Sequence, residues 1–233
     1  MTPATPTMTA QELPRTPWPY RLFLALTTAI TIGLAPAWAQ PQTTTKPLTI
    51  MVFGDSLSAE YGLKRGSGWV SLLQDRLKRS GFPHLVSNVS ISGETTSGGL
   101  TRLPAALKRV KPDIVLLELG GNDGLRGLPV ATTKKNLSQM IQLTKAAGAA
   151  PLLVGIRVPP NYGPQYARQF DGLFRQVAQS TETPLVPFLL EGIAENPMMF
   201  LPDGIHPNES AQIRLLDNVW PTLTRLLPPS TGA

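Results

Sequence analysis

The sequence predicts a three-layer α/β/α sandwich built on a five-stranded parallel sheet. Five short apolar runs recur along the chain, and stretches with helical periodicity lie between them. All of the runs except the second are almost continuously apolar, as expected of strands that are covered on both faces. Strands that alternate with helices form right-handed βαβ units, so we expect one parallel sheet with helices on both sides.

The predicted strands lie at residues 48–54, 85–91, 113–120, 151–158 and 184–188. The predicted helices are GWVSLLQDRLKRSG, GGLTRLPAALKRV, VATTKKNLSQMIQLTKAAG, YARQFDGLFRQVAQS and NESAQIRLLDNVWPTLTRLL. Gly81 is the expected C-cap of the first helix. Asn208 or Ser210 is expected to cap the last helix, with a kink at Pro221.

The N-terminal segment has the pattern of a secretory signal peptide. Arg15 and Arg21 precede an apolar stretch at 22–35, and the small residues of Ala37-Trp38-Ala39 follow. A membrane anchor is the alternative, but a helix over 22–35 spans only roughly 21 Å of about 30 Å of hydrocarbon. We therefore expect a signal peptide at 1–39, a polar linker at 40–47 and one domain at 48–233.

This organisation predicts an exported protein that is periplasmic or secreted after cleavage near Ala39, without stable membrane insertion once the signal is removed. The chain contains no cysteine, which excludes disulfides and thiolate metal sites. The formal net charge of +6 is dispersed over small groups of Lys and Arg on predicted helices. No aromatic or glycine pattern accompanies the charge, so we expect no nucleic-acid partner, and we expect a monomer.

Other functional classes lack their motifs. G-x-S-x-G, P-loop and G-x-G-x-x-G sequences are missing, which removes support for α/β-hydrolase, NTPase and dinucleotide-binding interpretations. The chain has only two histidines. We expect His84 at the surface or at a strand edge, and with so few His or Cys partners we expect no metal site.

Four polar, glycine-bearing segments follow the predicted strands. They are GDSLS after the first, SGETTSGG after the second, GGNDGLRG after the third and DGIH beyond the last. The carboxyl ends of parallel strands share one edge of the sheet, and ligands of such sheets bind beyond that edge. The candidate functional residues are therefore expected to converge there.

Three of these residues have the chemistry of a catalytic triad. The Ser56 hydroxyl needs a base within hydrogen-bond reach, and His206 titrates near neutral pH. Asp203 lies three residues before His206, and a turn at Gly204 could return its carboxylate to the ring. The pattern favours a triad in the order Ser56, Asp203, His206.

The same strand ends offer hydrogen-bond donors for an oxyanion. The backbone N–H groups of Ser56 and Gly93 and the side-chain amide of Asn122 are the candidates. Each part also has an ordinary interpretation: a strand-to-loop serine, a polar turn before the last helix, or an Asn that tolerates positive φ. Their joint occurrence at successive strand ends favours the catalytic one.

With these residues the sequence resembles the SGNH, or GDSL, hydrolase family. The likeness rests on Ser56 in GDSLS, Gly93 in ISGETTSGGL, Asn122 in GGNDG and His206 in DGIHP. Longer stretches, including LTRLPAALKRVKPDIVLLELGGNDGLRGLP and PLLVGIRVPPNYGPQY, resemble the branch of bacterial periplasmic thioesterase I/protease I/lysophospholipase L1 and related arylesterases.

The resemblance implies a flavodoxin-like sheet and cofactor-free hydrolysis of acyl esters and thioesters through an acyl-Ser56 intermediate. A small acyl ester or thioester, including a lysophospholipid, would be the substrate. Asp55 and Asp123 would hold loops. A carbohydrate O-acetylesterase and a non-catalytic periplasmic binding domain remain the alternatives.

Segment 120–129 is the candidate substrate-binding loop. It contains four glycines with Leu125 and Leu128 between them, and such a loop can move and offer apolar contacts to an acyl chain. The alternative is a loop buried against the next helix. Pro160 and Tyr162 are further candidate substrate contacts.

Overall fold

The computed structural model describes residues 46–229, with the side chain of Pro160 excepted. The predicted signal peptide at 1–39 and most of the predicted linker at 40–47 lie outside the described residues. These two assignments therefore stay predictions.

The described residues form one five-stranded sheet in which all paired strands are parallel. The strands are β1 (Thr49–Gly54), β2 (Leu85–Asn88), β3 (Ile114–Glu118), β4 (Ala150–Val154) and β5 (Leu185–Val186). Their order across the sheet is β2-β1-β3-β4-β5. The predicted sheet is confirmed, and the order is that of flavodoxin-like folds.

Six α-helices lie between or after the strands in residues 46–229. They are α1 (Trp69–Arg79), α2 (Thr96–Val110), α3 (Gly121–Leu125), α4 (Val130–Ala146), α5 (Pro164–Ser180) and α6 (Gln212–Thr224). Helix α1 packs against α6, and α4 packs against both α2 and α5. These two groups form the outer layers of the sandwich on either side of the sheet.

The core follows from the apolar strands. Every residue of β3 is buried, as are residues 50–54 of β1. Each amphipathic helix turns a buried stripe toward the sheet, as α1 does with Trp69, Leu73 and Leu77. Burial of both sheet faces explains why the strand sequences do not alternate between apolar and polar residues.

The strand order places a topological switch point between β1 and β3. The chain leaves β1 toward β2 on one side, whereas β3 begins the other half of the sheet. A crevice forms beyond the carboxyl ends of such a strand pair because the adjacent connections run to opposite faces. Ser56 follows β1 and Asn122 follows β3, so both residues lie at this crevice.

The structure differs from the predicted elements at the strand ends. β4, inside the sheet, ends at Val154 rather than at residue 158, and both edge strands are shorter than predicted. β2 ends at Asn88 rather than at residue 91, although the N–H of Val89 still donates to the Val52 carbonyl at 2.9 Å. β5 contains only two paired residues. Edge strands have a neighbour on one side only, so fewer contacts hold the end of each strand in register.

His84 is a second difference. Its side chain lies beside the edge strand β2, as expected, but it is only 1% exposed, so the predicted surface position was wrong. The ring Nδ1 accepts the N–H of Leu48 at 3.1 Å, and Phe82 stacks on the ring. Burial lowers the pKa of His84. It is a neutral side chain that joins the start of β1 to the start of β2.

The end of α1 agrees with its predicted signal, since Gly81 has a φ of 74° just after the helix. The predicted cap of the last helix was wrong: Asn208 accepts the N–H of Ser210 at 3.1 Å at the start of a 3₁₀ turn (Glu209–Ala211), and α6, which follows it, has no side-chain cap. Pro221 lies within α6. No helix among residues 46–229 is long and apolar enough to cross a membrane.

Candidate active site

A tight turn presents Ser56 at the carboxyl edge of the sheet. β1 ends at Gly54, and the N–H of Ala59 donates to the Asp55 carbonyl at 2.9 Å. The Asp55 carboxylate also accepts the N–H of Leu57 at 3.0 Å. Ser56 is therefore held inside a hydrogen-bonded turn, and it lines the cleft above the sheet.

A second turn carries Asp203 and His206. Gly204 has a φ of 67°, a conformation that glycine adopts without strain. The chain closes around it because the N–H of Leu201 donates to the His206 carbonyl at 2.7 Å. One oxygen of Asp203 accepts the N–H groups of Ile205 and His206 at 2.9 and 3.0 Å. This turn gives the carboxylate and the imidazole a fixed geometry.

The two turns meet at the carboxyl edge of the sheet. His206 Nδ1 lies 2.7 Å from Asp203 Oδ2, and His206 Nε2 lies 3.0 Å from Ser56 Oγ. An ionised carboxylate can only accept, so the neutral ring carries its proton on Nδ1. Nε2 is then free to accept the Ser56 hydroxyl proton. These are the contacts that the sequence predicted for a triad.

The Asp203 carboxylate is stabilised in its charged form. Its partial burial raises the pKa, but the N–H donors of His206 and Ile205 and the His206 ring outweigh that effect. Together they lower the pKa of Asp203 to about 2. Asp203 is therefore an anion at every pH at which the protein is expected to work.

Two of the predicted oxyanion donors are backbone groups with no partner of their own. Among residues 46–229 neither the N–H of Ser56 nor that of Gly93 makes a hydrogen bond. Gly93 has a φ of 79°, and the Arg126 guanidinium donates to its carbonyl at 3.0 Å. Asn122 lines the same cleft as Ser56 and donates one amide proton to Asp55 at 3.1 Å. Its second amide proton stays available to a ligand.

Two buried carboxyl groups lie behind the turn at residues 54–59 that carries the predicted nucleophile Ser56, which we call the nucleophile turn. Burial raises the pKa of Asp55 to about 6, although hydrogen bonds from Leu57 and Asn122 act in the opposite direction. Glu118, at the end of β3, is fully buried, and this burial raises its pKa well above its usual range. The space behind Ser56 therefore favours an uncharged carboxyl group at Glu118, whereas Asp55 loses its proton near pH 6.

Asp123 holds the start of α2 in place. Its carboxylate accepts the N–H of Thr96 at 2.8 Å and the Thr96 hydroxyl at 2.5 Å. The Thr133 hydroxyl donates to it at 3.3 Å. Asp123 thus joins α3 to α2 and α4, which is the loop-holding position expected for it. Among the described residues, no cluster of His, Cys, Asp and Glu could hold a metal ion.

A cleft of about 900 Å³ opens next to the triad. Ser56, Asn122 and His206 lie along it, and much of its remaining wall is apolar. The apolar wall includes Leu57, Leu125, Ile156, Val158, Phe188 and Leu190. These residues come from the ends of four different strands, so the cleft forms only when the sheet does.

The candidate substrate residues fall in different places. Leu125 lines the cleft, whereas Leu128 and Tyr162 are not part of its wall. The Tyr162 hydroxyl donates to the Leu125 carbonyl at 3.0 Å, so it supports the wall from behind. The side chain of Pro160 is not described. Segment 120–129 is also partly helical, since α3 occupies its first half.

Two residues near the triad had no predicted role. The Tyr61 ring lies against the His206 ring, with centroids 4.3 Å apart. Glu118 lies beneath the nucleophile turn. Glu118 could have been noticed as an ionisable residue within an apolar strand, which is rare unless it has a specific environment. Nothing in the local sequence around Tyr61 indicates its contact.

A parallel sheet that brings a serine, a histidine and an aspartate into contact at its carboxyl edge is the arrangement of a serine hydrolase. Comparison with known proteins narrows that class. Residues 52–212 match the GDSL-like Lipase/Acylhydrolase family, and the chain belongs to that family.

The relatives carry names that agree with the class. Esterase TesA of Pseudomonas aeruginosa is 53% identical over 179 residues, which cover 77% of this chain and 89% of the relative. Thioesterase 1/protease 1/lysophospholipase L1 of Escherichia coli is 44% identical over 169 residues, 72% of this chain and 80% of the relative. The crystal structure of TesA matches this structure with a TM-score of 0.75. The match covers 77% of this chain and 99% of the TesA chain.

Proposed function

We propose that the chain hydrolyses acyl esters and thioesters with Ser56 as nucleophile, His206 as general base and acid, and Asp203 as the residue that orients His206. The observation that carries the proposal is the 3.0 Å contact between Ser56 Oγ and His206 Nε2. It is within the range in which a base can take the proton of an attacking hydroxyl.

The first half of the reaction forms an acyl-enzyme. Ser56 Oγ attacks the substrate carbonyl carbon while its proton passes to His206 Nε2. The negative charge on the former carbonyl oxygen is held by the N–H groups of Ser56 and Gly93 and by the Asn122 amide. When the tetrahedral intermediate collapses, His206 returns the proton to the leaving alcohol or thiol.

Water completes the cycle by the same steps. His206 takes a proton from the water as its oxygen attacks the acyl carbon, and then gives that proton to Ser56 Oγ as the acid departs. Asp203 stabilises the positive ring that exists in both halves because its carboxylate stays ionised. The scheme needs no cofactor.

Acyl chains with apolar carbons are the proposed substrate class. Eight of the residues that line the cleft beside Ser56 are Leu, Ile, Val or Phe, and such surfaces bind hydrocarbon by removing it from water. Relatives named as an esterase and as a thioesterase/lysophospholipase support esters, thioesters and lysophospholipids as the compounds to test.

We further propose that the protein acts after export, in the periplasm or outside the cell, as a monomer without a nucleic-acid partner. Support comes from the N-terminal pattern of basic residues, apolar stretch and Ala37-Trp38-Ala39. N-terminal sequencing of the protein from a producing cell tests the export proposal. A mature N-terminus near Gln40 is the expected result.

The remaining alternatives make different demands on the cleft. A carbohydrate O-acetylesterase would need only a small acyl pocket, whereas this cleft measures about 900 Å³. A non-catalytic binding domain would have no use for a serine hydroxyl in contact with an imidazole. Both alternatives are therefore weaker than the acyl hydrolase.

The test is hydrolysis of p-nitrophenyl acetate, butyrate and octanoate and of the matching acyl-CoA thioesters. We expect turnover by the wild type and a loss of at least about 10³-fold in kcat for Ser56→Ala. Ser138→Ala is the matched control, because the Ser138 hydroxyl bonds within α4 to the Lys134 carbonyl. Equal activity of Ser56→Ala and wild type would overturn the proposal.

A further inference from the structure

Glu118 lies directly beneath the nucleophile turn. It is the last residue of β3 and is paired in register with Gly54, the last residue of β1. Its side chain is fully buried in a strand whose other side chains are all apolar. An acid at this point is exceptional for a parallel strand and calls for a reason in its surroundings.

The space for the carboxyl group exists because residue 54 is a glycine. A Cβ atom on Gly54 would lie 2.5 Å from Glu118 Oε2 and 2.9 Å from Ser58 Oγ. Both contacts are closer than real Cβ atoms allow. Gly54 and Glu118 therefore form a matched pair in which the missing side chain of one makes room for the carboxyl group of the other.

The Glu118 carboxyl group accepts hydrogen bonds from the residues on either side of Ser56 in the turn. Glu118 Oε2 accepts the Asp55 N–H at 3.3 Å and the Ser58 hydroxyl at 2.7 Å. The Asn88 amide donates to the Ser58 carbonyl at 2.7 Å, which ties the same turn to β2. Ser56 therefore lies between two residues that are anchored from below.

The surroundings of Glu118 do not suit an anion. No cation contacts the carboxyl group among the described residues, and Oε1 is buried without any hydrogen-bond partner. The charged group that faces it is Asp55, another acid, which in turn faces His206 and Asp123. Burial, and then the charge of Asp55, raise the pKa of Glu118 well above its usual range.

We propose that Glu118 is an uncharged positioning residue for Ser56: its carboxyl group, seated in the space left by Gly54, fixes the turn so that the Ser56 hydroxyl meets His206 while the Ser56 N–H stays free. The inference rests on the proposed role of Ser56. It adds a residue that touches no substrate and acts through the nucleophile turn.

The absence of charge has a physical reason in the reaction. The negative charge of the tetrahedral intermediate develops close to the Ser56 N–H, and a charged Glu118 would add a second buried anion, next to Asp55, that opposes it across a medium of low dielectric. A neutral acid keeps the two hydrogen bonds to the turn without this repulsion. The same argument predicts that a neutral acceptor of equal shape can replace Glu118.

The experiment compares Glu118→Gln, Glu118→Ala and the control Val115→Ala. Val115 is fully buried in the same strand, and it is paired in register with Met51 rather than with Gly54. Four properties are measured for each variant. They are kcat and KM for p-nitrophenyl butyrate, the pH profile from 5 to 9, the rate at which a fluorophosphonate labels Ser56, and the midpoint of urea denaturation. Ser56→Ala serves as the blank for labelling.

We expect Glu118→Gln to keep kcat/KM and the labelling rate within about threefold of wild type with an unchanged pH profile. Glu118→Ala should lose at least about tenfold in kcat and labelling rate with KM within twofold. Val115→Ala should lose stability but label at the wild-type rate. Slower labelling at an unchanged urea midpoint is not expected of a residue that only stabilises the fold, because a less stable variant such as Val115→Ala still labels at the wild-type rate while it is folded.

Two results would overturn the proposal. A loss of more than tenfold or a shifted pH profile in Glu118→Gln would mean that the working residue is an anion, and wild-type labelling of Glu118→Ala would mean that it does not position Ser56. If Glu118→Ala fails to fold, Glu118→Gln still shows whether the working residue is charged. Ser58→Ala removes one of the two hydrogen bonds from the turn to Glu118, so it must slow the labelling of Ser56. Activity remaining in Ser56→Ala would instead overturn the proposed function.

Discussion

Asp203 and His206 hold each other within a single turn of chain: the carboxylate lies 2.7 Å from the ring Nδ1 and also accepts the His206 N–H at 3.0 Å. The pair is therefore assembled by local structure, and long-range folding has to bring only Ser56 to it. This arrangement explains how a carboxylate that is 37% exposed can still fix the orientation of the ring.

Asp203→Asn is expected to lower kcat/KM by about 10²–10⁴-fold. An amide keeps the shape of the side chain but can donate to Nδ1, which favours the ring tautomer with its proton on the wrong nitrogen. Steady-state hydrolysis of p-nitrophenyl butyrate measures the effect. Asp75→Asn, an exposed acid on α1, is the control and should match wild type. Activity of Asp203→Asn within twofold of wild type would contradict the assigned role.

Asn122→Ala should lower kcat by about 10²–10³-fold and change KM little, because an oxyanion donor acts mainly in the transition state. Asn122→Asp has nearly the same shape but cannot donate at neutral pH, so it should be at least as damaging as the alanine variant. Initial rates over a range of ester concentrations separate kcat from KM. A large rise in KM at constant kcat would assign Asn122 to substrate binding instead.

Leu125 and Leu128 allow a controlled test of the apolar cleft, since they are the same residue type in different places. Leu125 lies in the cleft wall and Leu128 does not. Leu125→Ala should reduce kcat/KM for the octanoate ester by about tenfold and for the acetate ester by less than about twofold, since only the longer chain loses buried contact. Leu128→Ala should affect both esters equally. Equal losses on both esters for Leu125→Ala would count against an acyl-binding wall.

The pKa of Asp55 predicts a dependence of stability on pH. Burial raises this pKa from its unfolded value of 3.8 to about 6, so the folded protein retains the proton in a range where the unfolded chain has lost it. The contribution of Asp55 to the free energy of unfolding therefore falls as pH rises from about 4 to 6.

Asp55→Asn should remove this fall. The altered hydrogen bonds change the free energy of unfolding of the variant by an amount that does not depend on pH. On top of that change, the variant should become progressively more stable than wild type between about pH 4 and 6. Urea denaturation at pH 4, 5, 6 and 7 measures the difference. A constant difference across these four pH values would show that Asp55 does not titrate in this window.

Most of the sheet and the three residues that meet at its carboxyl edge, Ser56, Asp203 and His206, could be predicted from the sequence because their signals are local. An apolar run such as 113–120 identifies a buried strand from its own composition, and Asp203 and His206 are separated by one turn of chain with a glycine between them. The order of strands and motifs then implies one shared edge. Gly93 and Asn122 were candidates from their positions at successive strand ends, and the resemblance to a known family agreed with them.

Helix α3 was not predicted, since three of the first seven residues from Gly120 onward are glycines and suggest a loop. Tertiary packing overrides that tendency: a Cβ atom on Gly124 would lie 2.3 Å from Val158 and 2.8 Å from Phe170. The glycine is needed because α3 packs closely against neighbours more than thirty residues away, and the residues around it give no sign of that contact.

Short stretches of the chain determine the strands, their alternation with helices and the turn that joins Asp203 to His206, because periodicity and turn chemistry act over a few residues. Only the tertiary structure decides three other features: the distance from Ser56 to His206, the buried position of Glu118 under Gly54, and the wall of the cleft. They depend on contacts between segments up to 150 residues apart. Burial and close contact between such segments are properties of the packed molecule, because the same residues apart in the chain would be solvated, charged and unconstrained.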